Sequence, residues 1–160
     1  MRTAQEAEID QLAKFWYDGW QDAHAQILPA QLTRLRTPET FRERLQAALP
    51  NVRVVGPPGE PAGFYITKHD ELYQLFVSAP SRGSGVDAAS IVDAEARLSE
   101  TGVVTAWLAC AIGNQRAARF YGKRGWRCTG IMVNLLATSR GTFRLEVWRY
   151  EKELGKPTLG

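Results

Sequence analysis

The segment that most restricts the fold is Val103 to Ala111, VVTAWLACA, which is apolar almost without interruption. A run this short and this apolar reads as a strand covered on both faces, because alternation with polar residues is what a half-solvated strand shows. Covering such a strand requires helices before and after it, and both are present in the pattern. Ahead of it, Val86 to about Glu100 carries Ile91, Ala94 and Leu98 on one helical face, and Gly102 ends the helix. Behind it, Asn114 to Arg124 reads as a second helix, closed by Gly125 where a left-handed residue is favoured.

The remaining pieces are assigned around that core. From Ala4 to about Gln26, Ile9, Leu12, Ala13, Trp16 and Trp20 recur at three- and four-residue steps, the period of an amphipathic helix. Pro29 interrupts it, and a shorter helix is expected over Ala30 to Arg36. Thr37-Pro38-Glu39 reads as an N-cap followed by proline at the first helical position. The helix it opens runs to Leu49 and buries Phe41, Leu45 and Ala48. Val52 to Val55, Gly63 to Thr67 and Glu71 to Val77 then form an antiparallel meander, divided by Gly56-Pro57-Pro58-Gly59 and Lys68-His69-Asp70. Trp126 to Leu136 and Phe143 to Lys152 make a final hairpin around Ser139-Arg140-Gly141. The expected class is α/β, a mixed sheet in a single domain over residues 1–160.

Composition limits the function classes. The 160 residues are 44% hydrophobic and 23% charged, ordinary for a globular chain. No run approaches the length a membrane span needs, and the polar, acidic start from Met1 to Asp10 is not a secretory signal. The net charge of +3 is dispersed, which argues against a nucleic-acid surface and suits an anionic ligand. Cys110 and Cys128 show no metal-ligand spacing and no disulfide framework, so no metal is expected and a reducing cytoplasm is the simplest compartment.

Chemistry concentrates in Leu75-Phe76-Val77-Ser78-Ala79-Pro80-Ser81-Arg82-Gly83-Ser84-Gly85-Val86. A strand runs into a glycine-rich turn that opens a helix, so outward backbone N–H groups and the helix dipole favour an anion. Glycine removes the β-carbon that would hold phosphate oxygens away, and Arg82 adds a charged donor. The turn is not a P-loop, because no Gly-Lys-Ser/Thr follows, and it lacks the third glycine of a dinucleotide fingerprint.

The helix Asn114-Gln115-Arg116-Ala117-Ala118-Arg119-Phe120-Tyr121-Gly122-Lys123-Arg124-Gly125-Trp126 resembles the N-x-x-A-x-x-F-Y-x-x-x-G-F/W segment of GNAT acetyltransferases. Arg82-Gly83-Ser84-Gly85 resembles the same family's R-G-x-G-x-G/A acetyl-CoA loop, at the family's usual separation. The resemblance covers at least Glu71 to Trp126. It implies a mostly antiparallel sheet splayed at the acetyl-CoA site, with helices on both faces. It also implies direct acetyl transfer to a primary amine of a small molecule or peptide, and dimers are common in the family. By the same resemblance, the backbone of Phe76 and Val77 pairs with the pantetheine arm. The amides of Gly83, Ser84, Gly85, Val86, Asp87 and Ala88 hold the pyrophosphate, and Asn114, Ala117 and Phe120 flank the cofactor arm. Tyr121 protonates the departing thiolate, and an acidic residue on the strand before the loop, here Glu71, takes a proton from the amine. Tyrosine suits that acid role because its ordinary pKa lies above that of a thiol.

Several residues have two readings. Glu71 serves equally as a solvated strand-end carboxylate, and Phe120 is a core aromatic whatever else it touches. Leu72 and Leu75, three apart, break the two-residue period and point to a bulge near Gln74. Asp87 departs from the family's glycine or alanine, and its carboxylate would repel a pyrophosphate or simply complement the helix dipole. Cys110 reads as a buried free thiol rather than an acyl relay. Trp16 and Trp20 read as core aromatics, with Trp20 able to wall the acceptor pocket, and His24 as a surface histidine. Trp148 and Tyr150 share a face of the last strand, as core or interface. Met1 to Ala4 is too short for the full first strand of many relatives, so that strand is expected truncated or missing. The rival function is a non-catalytic acyl-CoA-binding module of the same fold.

Overall fold

Gly63–Lys68, the strand β3, shows how the layers are built. Phe64, Tyr65 and Ile66 are all fully buried, and alternation sends them to opposite sides. Phe64 and Ile66 join one apolar cluster, and Tyr65 joins the other. Helices therefore lie on both faces of the sheet. The computed structural model describes residues 1–155.

Seven strands form one sheet in the order β1-β2-β3-β4-β5-β7-β6. They are β1 (Arg2–Thr3), β2 (Val52–Val55), β3, β4 (Glu71–Val77), β5 (Thr105–Ala111), β6 (Arg127–Thr138) and β7 (Gly141–Glu153). Only the β4–β5 neighbours run parallel. The expected meander and hairpin are both present, and the first strand is cut to two residues. On one face, α1 (Ile9–His24) and α3 (Pro38–Ala48) bury Leu12, Trp16, Phe41 and Leu45 against β2 and β3. The six-residue α2 (Ala30–Leu35) links them. On the other face, α4 (Val86–Glu100) and α5 (Gln115–Lys123) bury Ile91, Ala94, Leu98 and Tyr121 against β5 and β7. Tyr150 belongs to that core and Trp148 packs on it, so both are internal.

Two local expectations are corrected, and the N-cap expected at Thr37 is present, ahead of Pro38 at the first helical position, with a different bonding pattern. The helix expected from Ala4 begins as a 3-10 turn, Glu6–Glu8, before α1. Arg2 grips the Glu8 carboxylate with two donors at 2.6 Å, and the Gln5 N–H donates to it at 3.0 Å, so the chain is held outside α-helical geometry there. Thr37 has the extended backbone of an N-cap, but its hydroxyl makes no capping bond. Its carbonyl instead accepts from the Thr40 N–H at 3.0 Å and the Thr40 hydroxyl at 2.7 Å. The strand expected over Val103 to Ala111 starts at Thr105 and is covered fully on one face only. Ala106, Leu108 and Cys110 are buried, whereas Trp107, Ala109 and Ala111 on the other face are half-buried. The cause is the reach of α1 and α3, whose apolar cluster covers β2, β3 and part of β4 and leaves β5 open.

Candidate active site

The open face of β5 continues into a gap in the sheet. β4 and β5 share a single ladder pair, Glu71↔Trp107, while β3 stays paired with β4 from Gly63↔Val77 to Lys68↔Glu71. Beyond Glu71 the edge of β4 that faces β5 has no strand partner. A bulge accompanies the split: Ile66 faces Gln74 but Thr67 faces Leu72, which leaves Tyr73 as the extra residue, one position from the expected site. The bulge explains why Leu72 and Leu75 both turn to the α4 side, while Tyr73 and Phe76 both turn to the α1 side. Gly63 permits the tight register at the far end, because a Cβ there would stand 2.9 Å from the Phe76 carbonyl oxygen. The gap opens into a cavity of about 300 Å³, enough for a small ligand.

Tyr121 enters this cavity from α5. The helix ends in a Schellman motif: the Gly125 N–H donates to Gly122 O at 3.3 Å and the Trp126 N–H to Tyr121 O at 3.1 Å. Gly125 takes the left-handed φ of +89° that the motif needs. The Trp126 ring folds back on the Tyr121 ring, with centroids 6.2 Å apart. These contacts fix the tyrosine, whose ring also meets Phe120 and Tyr150. Among the described residues none hydrogen-bonds its hydroxyl, and burial, helped by nearby Cys110, pushes the phenol's pKa up. At the other end of α5, Asn114 occupies the N-cap and its Oδ1 accepts from the Ala117 N–H at 3.2 Å.

Glu71 is half-buried at the start of β4 and lines the same cavity. Burial pushes its carboxyl up to about 7 and adjacent Asp70 adds to the rise, against the pull of Lys68 and Arg149. A carboxylate with that pKa is poised for proton transfer at neutral pH. Asp70 itself accepts from the Trp107 indole N–H at 3.0 Å, and His69 holds the turn at φ +53°, so both are turn residues. Burial likewise raises the Cys110 thiol to about 11, which keeps it protonated and unfit as a nucleophile.

The glycine-rich turn lies past the end of β4. Gly83 and Gly85 take φ of +76° and +96°, and a Cβ at either would project into open space. Gly85 is the N-cap residue of α4, so the helix dipole points at this opening. Arg82 sits loosely by Asp22 at 3.9 Å. Asp87 faces the cavity, and its Oδ1 accepts from the Ala88 N–H at 2.9 Å. That amide is therefore already occupied.

The cavity thus gathers Glu71, Phe76, Val77, Arg82, Asp87, Asn114, Ala117, Phe120 and Tyr121. Gly83, Ser84, Gly85, Val86 and Ala88 lie on the turn and first helical residues outside its lining. Phe120 is half-buried, not enclosed as expected. Trp20 does wall the cavity. His24 is not a surface residue: it lines the cavity, its Nδ1 lies 3.0 Å from Trp20 O, and burial pushes its imidazole down to about 4. Sequence reasoning missed Arg36, Arg44, Tyr73, Arg116 and Asn134. Arg44 was detectable, because it lies in the stripe Phe41, Arg44, Leu45, Ala48 that buries the apolar face of α3.

The split parallel pair, the glycine-rich turn beside it and the carboxyl and phenol that line the cavity form one continuous site in a mixed α/β fold. The description "Acetyltransferase (GNAT) family" matches residues 13–126, and the chain belongs to that family. No curated protein sequence shows a significant match. The fold is shared with an N-acetyltransferase of Rhodopseudomonas palustris at 18% identity, covering 95% of this chain and 93% of that one with a TM-score of 0.73. An N-acetyltransferase of Staphylococcus aureus Mu50 is 15% identical over 96% and 97% of the two chains, with a TM-score of 0.71. The PaiA N-acetyltransferase of Thermoplasma acidophilum, solved in complex with coenzyme A, is 16% identical over 95% and 96%, with a TM-score of 0.64.

Proposed function

We propose that the protein moves an acetyl group from acetyl-CoA directly to a primary amine of a small molecule or peptide. The observation that carries this reading is the gap between β4 and β5, which opens into a cavity lined by both Glu71 and Tyr121. The free edge of β4 at Phe76 and Val77 offers the pantetheine arm the backbone partners that β5 does not. In the turn from Gly83 to Val86 the amides of Gly83, Gly85 and Val86 are open to the pyrophosphate, whereas that of Ser84 donates to Ser81 O, and Arg82 and Arg116 add charge. Asn114, Ala117 and Phe120 flank the arm.

Glu71, directly or through water, takes one proton from the substrate ammonium. The freed nitrogen attacks the thioester carbonyl, the C–N bond forms and the C–S bond breaks. Tyr121 gives its proton to the leaving sulfur and is restored by the second proton lost from nitrogen. Net, one proton leaves with the amide and the free thiol. The low basicity of Glu71 in water is no obstacle, because burial has raised it to about 7. The chain is read as one domain, 1–160, acting in a reducing cytoplasm, and both cysteines are free thiols.

Thiol release from acetyl-CoA, followed over a mixed panel of primary amines, tests the reading. Release that depends on one amine class supports it; binding of acetyl-CoA without release for any amine would favour the non-catalytic module. Asp87→Ala is expected to tighten acetyl-CoA binding by roughly 3- to 10-fold, since it removes a like charge and frees the Ala88 amide. Isothermal titration checks this, and unchanged affinity would mean that the carboxylate is remote from the phosphates.

A homodimer is the expected assembly. Ile131, Val133 and Leu135 stand 64%, 40% and 60% exposed in alternate positions along the sheet-edge strand β6. One such row is unusual on a solvated edge and suits a second copy. Leu135→Lys should shift the mass seen by light scattering from dimer to monomer.

A further inference from the structure

The cavity has a second cationic region that the acetyl-transfer roles leave unused. Arg36, between α2 and α3, is only 4% exposed yet lines the cavity. One nitrogen of its guanidinium, Nη1, donates to Ala137 O of β6 at 3.1 Å. Among the described residues no carboxylate lies within ion-pair distance of it, and its other donors find no protein acceptor. Arg44 lies close enough to repel it: burial first, then Arg44, pushes the Arg36 pKa down to about 10.

Arg44 likewise has no carboxylate partner among the described residues. Its Nη2 donates to the Tyr73 hydroxyl at 2.7 Å, and its Nη1 is buried with no partner. The face of its guanidinium is held by aromatic rings, 4.4 Å from the centroid of Trp16 and 5.2 Å from that of Phe41. Stacking satisfies the face and leaves the edge, where a planar anion bonds in parallel pairs. The two carboxylates lining the cavity, Glu71 and Asp87, form no ion pair with either arginine. Two guanidiniums held together in an apolar pocket without a counter-charge are costly unless an anion joins them.

Position separates this region from the phosphate turn. Tyr73 is near the start of β4 and Val77 at its end, roughly 13 Å apart at ordinary strand rise. Arg82 lies farther still. The arginine pair is therefore on the Glu71 side of the cavity, where the amine has to bind.

We propose that Arg36 and Arg44 bind a carboxylate carried by the acceptor, so that the substrate is a small amine with an acid group, of amino-acid type, rather than a polyamine or aminoglycoside. This rests on the acetyl-transfer reading above. The carboxylate fills the edge of Arg44 and the free donors of Arg36, and so orients the amine toward Glu71.

Two measurements test it. In the first, thiol release from acetyl-CoA is compared for glycine, alanine, leucine and phenylalanine, their carboxamides and their decarboxylated amines. The free acid of at least one series should exceed both partners by about 10-fold or more in kcat/KM, because the amide leaves buried charges unpaired. Arg44→Gln should raise KM for that acid by about 10- to 100-fold with a much smaller change in kcat, and erase the preference. Arg44→Lys, which keeps the charge, should retain part of it. In the second, the coenzyme A-loaded protein is titrated calorimetrically with the four N-acetyl amino acids and their methylamides, which requires no turnover. The acids should bind at least about 10-fold more tightly, and Arg44→Gln should abolish the difference. Amides or simple amines that match the acids in both measurements would overturn the proposal, as would an Arg44→Gln protein that keeps the preference. Acid-selective binding with no acetyl transfer to any amine would uphold the carboxylate site and count against the transferase reading alone.

Discussion

Tyr121→Phe is expected to lower kcat by about 10²- to 10³-fold, the usual range for loss of a positioned general acid. The affinity for acetyl-CoA should change by less than about 3-fold. Stability should hardly move, because the hydroxyl makes no hydrogen bond within the described residues and the ring contacts with Trp126 and Tyr150 persist in phenylalanine. Burial pushes the phenol's pKa up, so it is protonated at neutral pH and the proton is available when the thiolate leaves. Steady-state kinetics, titration calorimetry and a thermal melt on one preparation check the three parts. A loss of kcat matched by a loss of melting temperature would assign Tyr121 to the core instead.

Glu71→Gln is expected to reduce kcat/KM by about 10²-fold at pH 8 and to remove the acid limb of the pH profile. In the wild type, kcat/KM should rise with pH through about 7 as the carboxyl ionises. The same shift fixes a stability effect of opposite sense. The folded pKa lies above the unfolded one, so the folded state holds an extra proton between about 4.5 and 7. Above about 7 the carboxyl is ionised in both states, and the fold bears the full cost of a partly buried charge. Below about 4.5 it is protonated in both, and the cost is absent. Glu71→Gln should thus melt higher than wild type at pH 8, by roughly 2–4 °C if the cost is near 1 kcal/mol. The gap should close as pH falls toward 4.5. A variant that is less active and also less stable at pH 8 would show that the carboxylate is structural.

Most of the scaffold could be read from local signals. The bulge was legible because Leu72 and Leu75 violate the two-residue period, and the structure puts the extra residue at Tyr73. Gly125 announced the end of α5, and that same glycine holds Tyr121 in place through the Schellman bonds. The glycine-rich turn was legible because only glycine reaches the φ values found at 83 and 85 without strain. What sequence could not supply was lateral placement. The half-open face of β5 depends on how far α1 and α3 reach across the sheet, a property of packing that no local pattern encodes. Arg36 gave no signal, because its burial depends on a bond to Ala137, far along the chain. His24 and Arg44 each continue an apolar helical stripe, one after Trp20 and the other between Phe41 and Leu45. Both side chains line the cavity, so a polar residue within an apolar stripe was the local signal for them.

The cavity lining carries four arginines, Arg36, Arg44, Arg82 and Arg116, and two carboxylates, Glu71 and Asp87. Arg82 directly precedes the glycines of the turn with Arg116 near it, Arg44 bonds the Tyr73 hydroxyl beside Arg36, and Glu71 stands near the point where β4 leaves β5. On the proposed reading the arginines hold the anionic groups of the two substrates, and Glu71, at the split, takes the proton.

The central claim is tested most directly by mass spectrometry of the products formed from acetyl-CoA labelled with carbon-13 in the acetyl group, in the presence of the best amine. The account predicts that the label is recovered as an N-acetyl amide in step with free coenzyme A, with none left on the protein. Label that remained on the coenzyme, was shed as acetate, or was found on Cys110 would contradict direct transfer to the amine.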